Sequence, residues 1–533
     1  MKFEPLLDDL SARALDAAWL RSALEPVSPY GERSFETYAP FRPGEEKQAQ
    51  ARAARIAAIA RKLPATAVDA AREIMRSVPD AATAIARASM GDALSDANLL
   101  ELQRYFDACE RLDALAADVP ELDRVATDAV RATARALERG RSGRFGFYLD
   151  DAFDASLAAS RASLAQAQAE YDAVRGRRVA AIAQALGREI SGTEFIVMRA
   201  DLDGALPAGI RVVREAPTYV LCEIDADEAT LAALGRREDA AAAVAAAEER
   251  VRAALGDVVR MHAAALDAST ANFGSNDVAI AAARFTQQHR CVVAEIVASP
   301  AISFEDGVYS PLAHELERQG RAFTPITVSL ADAAVLSGPN MGGKSVALRT
   351  CGFIALCAAL GLPVPAKRAR VALFGEIAWL GAGTDGDGGG LLSSFAREVV
   401  RLRDALERDN APALALLDEF ARTTTPREGR AIVIAVIAAL RNRGALAFAA
   451  THLSGIAEGA RVRHFAVRGL RGIPERPATD DLNAALETLA ASMDYTIEEV
   501  GENGERRSDA IALASLLGLD EALVGDAYAA LEE

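Results

Sequence analysis

The chain has 533 residues, 51% of them apolar, and a formal net charge of −17. That length supports two to four domains with sizeable cores, and the overall field does not draw in nucleic acid, although a local basic patch is compatible with it. The five cysteines (109, 222, 291, 351, 357) form no C-x-x-C pair, which argues against a disulfide framework or a zinc site and suits a reducing cytoplasm. No apolar run reaches the roughly 18 residues of a membrane span, and the opening MKFEPLLDDL is acidic rather than signal-like.

Residues 1–44 read as a lead-in rich in turn signals, with prolines at 26, 29, 40 and 43. From 45 to about 140 the pattern is helical, broken at Pro64, Pro79 and Pro120, which suits a scaffold. Residues 151–186 form one long helical run, with Leu157, Leu164 and Tyr171 seven apart. A second run covers about 227–270 and carries Val244, Val251, Leu255, Val258 and Leu266. Each seam suits packing against one partner helix. Between them, EFIVM, IRVVRE and TYVLCEI read as strands around turns at Asp203-Gly204 and Pro207-Ala-Gly209. The expectation is a pair of helical arms with a small β-containing tip at about 188–226. A fully helical 36-residue run would reach roughly 54 Å.

From about Phe285 strands and helices alternate, which predicts an α/β domain. Residues 291–297, 333–336, 370–374, 413–417 and 445–450 read as strands, and 345–360, 393–408 and 429–441 as helices. Gly338-Pro339-Asn340-Met341-Gly342-Gly343-Lys344-Ser345 fits the phosphate-binding pattern G-x-x-x-x-G-K-[ST], with a strand before it and a helix after it. Backbone N–H groups of such a loop close around phosphate oxygens, and the helix N-terminus adds its dipole. Lys344 is expected to reach the phosphates and Ser345 to ligate magnesium. ALALLDE ends a strand in two acids. Asp418 is assigned to the metal and Glu419 to the base that activates water. His452 closes the next strand, where it faces either a γ-phosphate or simply the polar strand end. A Gly-rich loop at 381–390 runs into Ser393 and Ser394 at a helix start. It reads as a surface loop or as a second phosphate contact.

SGPNMGGKS, ALALLDEFARTTTPREGRA and FAATHLSGIAE, in this order, resemble the ATPase domain of the MutS family, and Phe395 and Glu398 match that family's loop motif. The match is close over about 323–455. The resemblance implies an ABC/MutS-like α/β P-loop NTPase domain at 285–533, a helical lever domain at 1–150, and long arms with a clamp-like tip at 151–284. It implies ATP and Mg2+ as ligands, and a homodimer with composite sites in which Ser393 reaches the γ-phosphate held by the other subunit. It also implies Asn340 and His452 near the phosphates and Phe323 stacked on adenine. Two departures stand out. By the resemblance, the chain is expected to begin at the lever, without mismatch-reading or connector domains. The family's Gly-Arg-Gly-Thr after the acidic pair is Ala421-Arg422-Thr423-Thr424 here. Residues 507–518 read as a short helical cap. The variant DEFARTTTPREGRA looks like MutS-related proteins associated with cobalamin-dependent lysine or ornithine aminomutases, which implies a protein partner to be remodelled. A DNA-binding clamp ATPase of mismatch repair or recombination and a ribosome- or branched-DNA-binding paralogue are the other readings, and any DNA binding is expected to lack mismatch preference. The tip, 187–226, holds four arginines against seven acids, a balance of −3, whereas a DNA clamp should be locally basic.

Overall fold

A computed structural model describes residues 1–142, 146–202, 204–339, 342–381, 394–408, 410–470, 492–500, 511, 514–515 and 519–532. Its residues fall into two units, one made of Val78–Arg111 and Arg124–Thr270, the other of Met1–Ser77, Leu112–Asp123 and Ala271–Glu533. This grouping cuts across the linear division at 150 and 284, because Met1–Ser77 joins the α/β region rather than the helices that follow it.

In the first unit, β1 (Arg141–Ser142) and β2 (Gly146–Phe147) make a small hairpin ahead of a helix over Ala155–Leu186. Asp154 caps that helix by accepting from the Ser156 N–H, and Gly187 ends it in the left-handed region. The second long helix runs over Glu228–Gln288, past the expected end at 270, and its last residues from Ala271 belong to the other unit. The two helices run antiparallel. Arg161 Nη2 lies 2.9 Å from Glu248 Oε1, Arg236 Nη2 lies 2.7 Å from Glu170 Oε1, and Arg237 stacks over Tyr171. Only Leu157 and Ile182 of the first helix are buried. Between the helices, β3 (Glu194–Met198), β4 (Ile210–Glu215) and β5 (Tyr219–Ile224) form an antiparallel sheet in the order β3-β5-β4. Alternation puts Phe195, Val197, Val220 and Cys222 on one face, where they pack with Ile182 and Val179.

The second unit contains two sheets. The smaller has the order β6-β10-β7-β8, from β6 (Glu295–Val297), β7 (Ile302–Gly307), β8 (Ile326–Leu330) and β10 (Arg368–Ala372). The larger has the order β11-β12-β13-β9-β14-β15, from β9 (Ala334–Ser337), β11 (Glu376–Gly381), β12 (Ala413–Asp418), β13 (Leu446–Ala450), β14 (Arg463–Leu470) and β15 (Met493–Glu499). Its first five strands are parallel, and β15 closes it antiparallel to β14. The apolar runs of the central strands have no polar face because both faces are covered. Leu336, Leu414, Leu416 and Phe448 face the core that holds the helix Lys344–Ala359. Val335, Ala415, Leu417 and Ala449 face the core that holds Val433 and Ile437 of the helix Pro426–Asn442.

The lead-in is part of this unit's core. It folds into helices over Asp9–Ala14, Ala17–Ala23 and Pro29–Glu36, and buries Leu6, Leu10, Leu15 and Leu20 in the cluster of the Lys344–Ala359 helix. Residues 6–11 also cover the edge of β11. Ile377 N–H donates to the Leu6 carbonyl at 2.8 Å, and Trp379 N–H to Ser11 Oγ at 2.9 Å. An edge strand that would otherwise expose unpaired N–H groups is thereby blunted.

Candidate active site

Register brings the candidate residues to one edge of the larger sheet. Gly381 pairs with Asp418, Asp418 with Ala450, and Ala450 with Leu336 across β11, β12, β13 and β9. Two cross-strand bonds stitch the strand ends together: Glu419 N–H donates to the Ala450 carbonyl at 2.9 Å, and Thr451 N–H to the Leu336 carbonyl at 3.0 Å. The next residue on each strand therefore emerges beside its neighbours, at the carboxyl ends of parallel strands where open α/β sheets bind ligands.

The loop after β9 leads into the helix Lys344–Ala359, and 13 of its 16 residues are buried. An almost uniformly apolar helix belongs inside a sheet sandwich, so its N-terminus is fixed by packing. Gly343 is its N-cap, with φ of 82°, and a Cβ there would stand 3.1 Å from Tyr495 Cδ1 of β15. Its left-handed backbone favours glycine, and a side chain there would press on the Tyr495 ring. Lys344 is only 5% exposed. Its ammonium donates to the Gly338 carbonyl at 2.9 Å and the Pro339 carbonyl at 3.0 Å, and lies 3.8 Å from Glu419 Oε1. Burial pulls its pKa below the ordinary lysine value, against the pull of Glu419 and Asp418.

Ser345 Oγ donates to Asp418 Oδ1 at 2.8 Å. Burial raises the Asp418 pKa, the Ser345 hydroxyl opposes that rise, and the neighbouring Glu419 adds to it. Among the described residues no group of three or more His, Cys, Asp or Glu stands together as a metal cage. A hydroxyl and a carboxylate in contact suit a hard cation of the magnesium type, which takes few protein ligands and completes its shell with water and substrate phosphate. Glu419 follows with φ of 47°, and its Oε2 accepts from Arg422 Nη1 at 3.1 Å.

The other predicted residues are distributed as follows. Gly338, Pro339, Gly342, Gly343, Lys344, Ser345, Asp418 and Glu419 come together. His452 is exposed just beyond β13. Phe323 is half-buried in the segment before β8, against the core of the Lys344–Ala359 helix. Asn340, Met341 and Ser393 lie outside the described residues. So does most of the expected cap at 507–518. Four nearby residues had no role in the sequence reading. Tyr495 lies against Gly343. His464 Nε2 is 2.8 Å from Ser337 Oγ at the end of β9. Arg422 pairs with Glu419. Glu398 accepts from the Ala421 N–H at 2.9 Å. The strand carrying Tyr495 was open to reading, since MDYTIEE alternates Met493, Tyr495 and Ile497 with polar residues.

Residues 334–533 match the family model described as MutS domain V. A protein named endonuclease MutS2 from Agathobacter rectalis is 29% identical over 289 residues, which are 54% of this chain and 34% of that protein. One of the same name from Symbiobacterium thermophilum is 34% identical over 213 residues, 39% of this chain and 26% of that protein. One from Streptococcus pneumoniae is 29% identical over 285 residues, 53% of this chain and 34% of that protein. The chain thus spans about a third or less of the curated relatives it matches. Neither the family model nor these relatives carry the expected link to cobalamin-dependent aminomutases, and that narrower resemblance is set aside.

Proposed function

We propose that this chain, whose residues 334–533 match the model of MutS domain V, is a MutS-family protein that binds ATP with Mg2+ and hydrolyses it to ADP and phosphate. The observation that carries this reading is the meeting of two sequence-distant motifs, Ser345 Oγ with Asp418 Oδ1 at 2.8 Å and Lys344 Nζ with Glu419 Oε1 at 3.8 Å. Ser345 and Asp418 would hold the cation, which supplies charge neutralisation at the phosphates when bound. Lys344 exchanges its two loop carbonyls for phosphate oxygens. Glu419 takes the proton of the attacking water, and its strained turn points the carboxylate from the strand end toward the loop. His452 stands at the adjoining strand end as a γ-phosphate contact, and Phe323 as a surface for adenine.

The family resemblance supports a homodimer in which Ser393 of one subunit completes the site of the other. The antiparallel helix pair and its three-stranded sheet are then the lever arms and clamp-like tip that the nucleotide cycle moves. Charge favours a protein over DNA as the tip's target. Two of its four arginines are already paired with acids of the same tip, Arg199 with Glu215 and Arg211 with Glu223. The relatives' name, endonuclease, makes nucleic acid the second reading. The direct test is Mg2+-dependent phosphate release by the full chain. Lys344→Ala should lower ATP affinity by roughly 100-fold or more, the loss of one charge-assisted contact to each of two phosphates. Wild-type affinity in that variant would refute the site.

A further inference from the structure

The helix Ser394–Glu407 packs on the sheet through one stripe of its surface, with Phe395, Leu402, Ala405 and Leu406 set against the core of Leu417, Phe420 and Val433. Glu398 falls on that stripe, at the spacing of an apolar contact residue, and is 2% exposed. A carboxylate in such a place is costly unless something requires it. Its Oε2 accepts from the backbone N–H of Ala421 at 2.9 Å.

Ala421 belongs to the turn that carries Glu419. Glu419 and Ala421 both have positive φ, 47° and 62°, on either side of the buried Phe420. Left-handed backbone is strained for side chains such as these and persists only where surrounding structure over-determines it. Phe420 anchors the turn in the core, Glu419 N–H is tied to Ala450, and Ala421 N–H is tied to Glu398. The third tie is the only one of these supplied by another helix's side chain. Burial raises the Glu398 pKa, and the Ala421 N–H is the largest opposing influence, with Arg401 and Arg422 acting in the same direction.

We propose that Glu398 is a positioning residue for hydrolysis: its carboxylate latches the Ala421 N–H and so holds the strained turn that aims Glu419. This rests on the ATPase reading above. The latch requires an acceptor oxygen at the end of a three-atom reach, not a negative charge. Glu398→Gln keeps that acceptor and loses the charge, whereas Glu398→Asp keeps the charge and withdraws the oxygen by one methylene. In the full chain, Glu398→Asp should lower kcat by about 10- to 100-fold, the rate equivalent of leaving one buried N–H without its acceptor, while the Kd for ATP stays within about twofold. Glu398→Gln should keep kcat within about threefold of wild type. Far-UV circular dichroism and the thermal midpoint identify any variant that has lost its fold, and Gln against Asp still decides the matter if Glu398→Ala does not fold. Equal kcat in Glu398→Asp and wild type, or equal loss in Gln and Asp, overturns the latch. A wild-type chain that binds no ATP and releases no phosphate overturns the ATPase reading itself, and the latch with it.

Discussion

Replacing Glu419 with Gln separates chemistry from binding at this site. The side chain keeps its size, so the turn between Asp418 and Ala421 keeps its packing around Phe420. What the change removes from the ground state is small. Glu419 Oε2 is paired with Arg422, whose side chain is 60% exposed, and a pair so screened contributes less than about 1 kcal/mol. Its other oxygen is 3.8 Å from Lys344 Nζ, and that ammonium retains the Gly338 and Pro339 carbonyls as acceptors. Nucleotide affinity should therefore change by less than about fivefold, the equivalent of roughly 1 kcal/mol. The rate should fall much further, because an amide does not accept the proton of the attacking water. General-base loss costs about 10²- to 10⁴-fold, or about 3–5 kcal/mol of barrier. Phosphate release under saturating ATP and Mg2+ gives kcat, and titration with a fluorescent ATP analogue gives Kd. Unchanged kcat in Glu419→Gln would remove the base from Glu419. Loss of binding with no separate effect on kcat would make it a ligand-holding residue instead.

Three further outcomes are expected. If Ser393 acts across a dimer, mixing Ser393→Ala with Lys344→Ala protein should give more phosphate release than either alone; a monomer with a concentration-independent specific rate removes the composite site. His289 lies against Trp19 and Phe285, and burial, then His314, pushes its pKa from the ordinary 6.5 to about 4, with Glu317 opposing. The folded state thus binds fewer protons than the unfolded one between those values, so its contribution to stability is present above pH 6.5 and lost as pH falls toward 4. Thermal melts across pH 4–7 should show this slope flattened in His289→Gln, and an unchanged slope refutes the assignment. DNA binding should be no tighter than about 10⁻⁶ M at physiological salt, with no preference for mismatched duplex. Nanomolar, salt-sensitive binding in an anisotropy titration would overturn the protein-target reading and point to a basic surface outside 187–226, such as Arg175, Arg177 and Arg178.

The parts of this molecule that were legible in its sequence are those set by neighbours in the chain. The glycine-rich loop and the helix after it were readable because the glycines, the lysine and their apolar flanks are contiguous, and the helix Lys344–Ala359 begins and ends within one residue of the expected 345–360. The end of the strand at Asp418 was readable because ALALL ends where the acids begin. Contacts made at long range were not legible. The cover that Leu6 and Ser11 give to β11 joins residues some 370 apart, and turn-rich composition concealed the short helices that place them. Glu398 was visible as a matching letter without a role, since only the folded chain brings its oxygen to the Ala421 N–H. Local preference misleads most at Ala421. Alanine avoids positive φ, so a reader of sequence alone would deny it this conformation, and the glycine expected there by resemblance would adopt it freely. The turn is left-handed because Phe420 is buried on one side, Ala450 and Glu398 hold its N–H groups, and together these outweigh roughly 1–2 kcal/mol of strain per residue. Places where tertiary contacts overrule local preference are where a chain stores functional geometry. Here that geometry is the direction of one carboxylate, Glu419, beside the buried lysine.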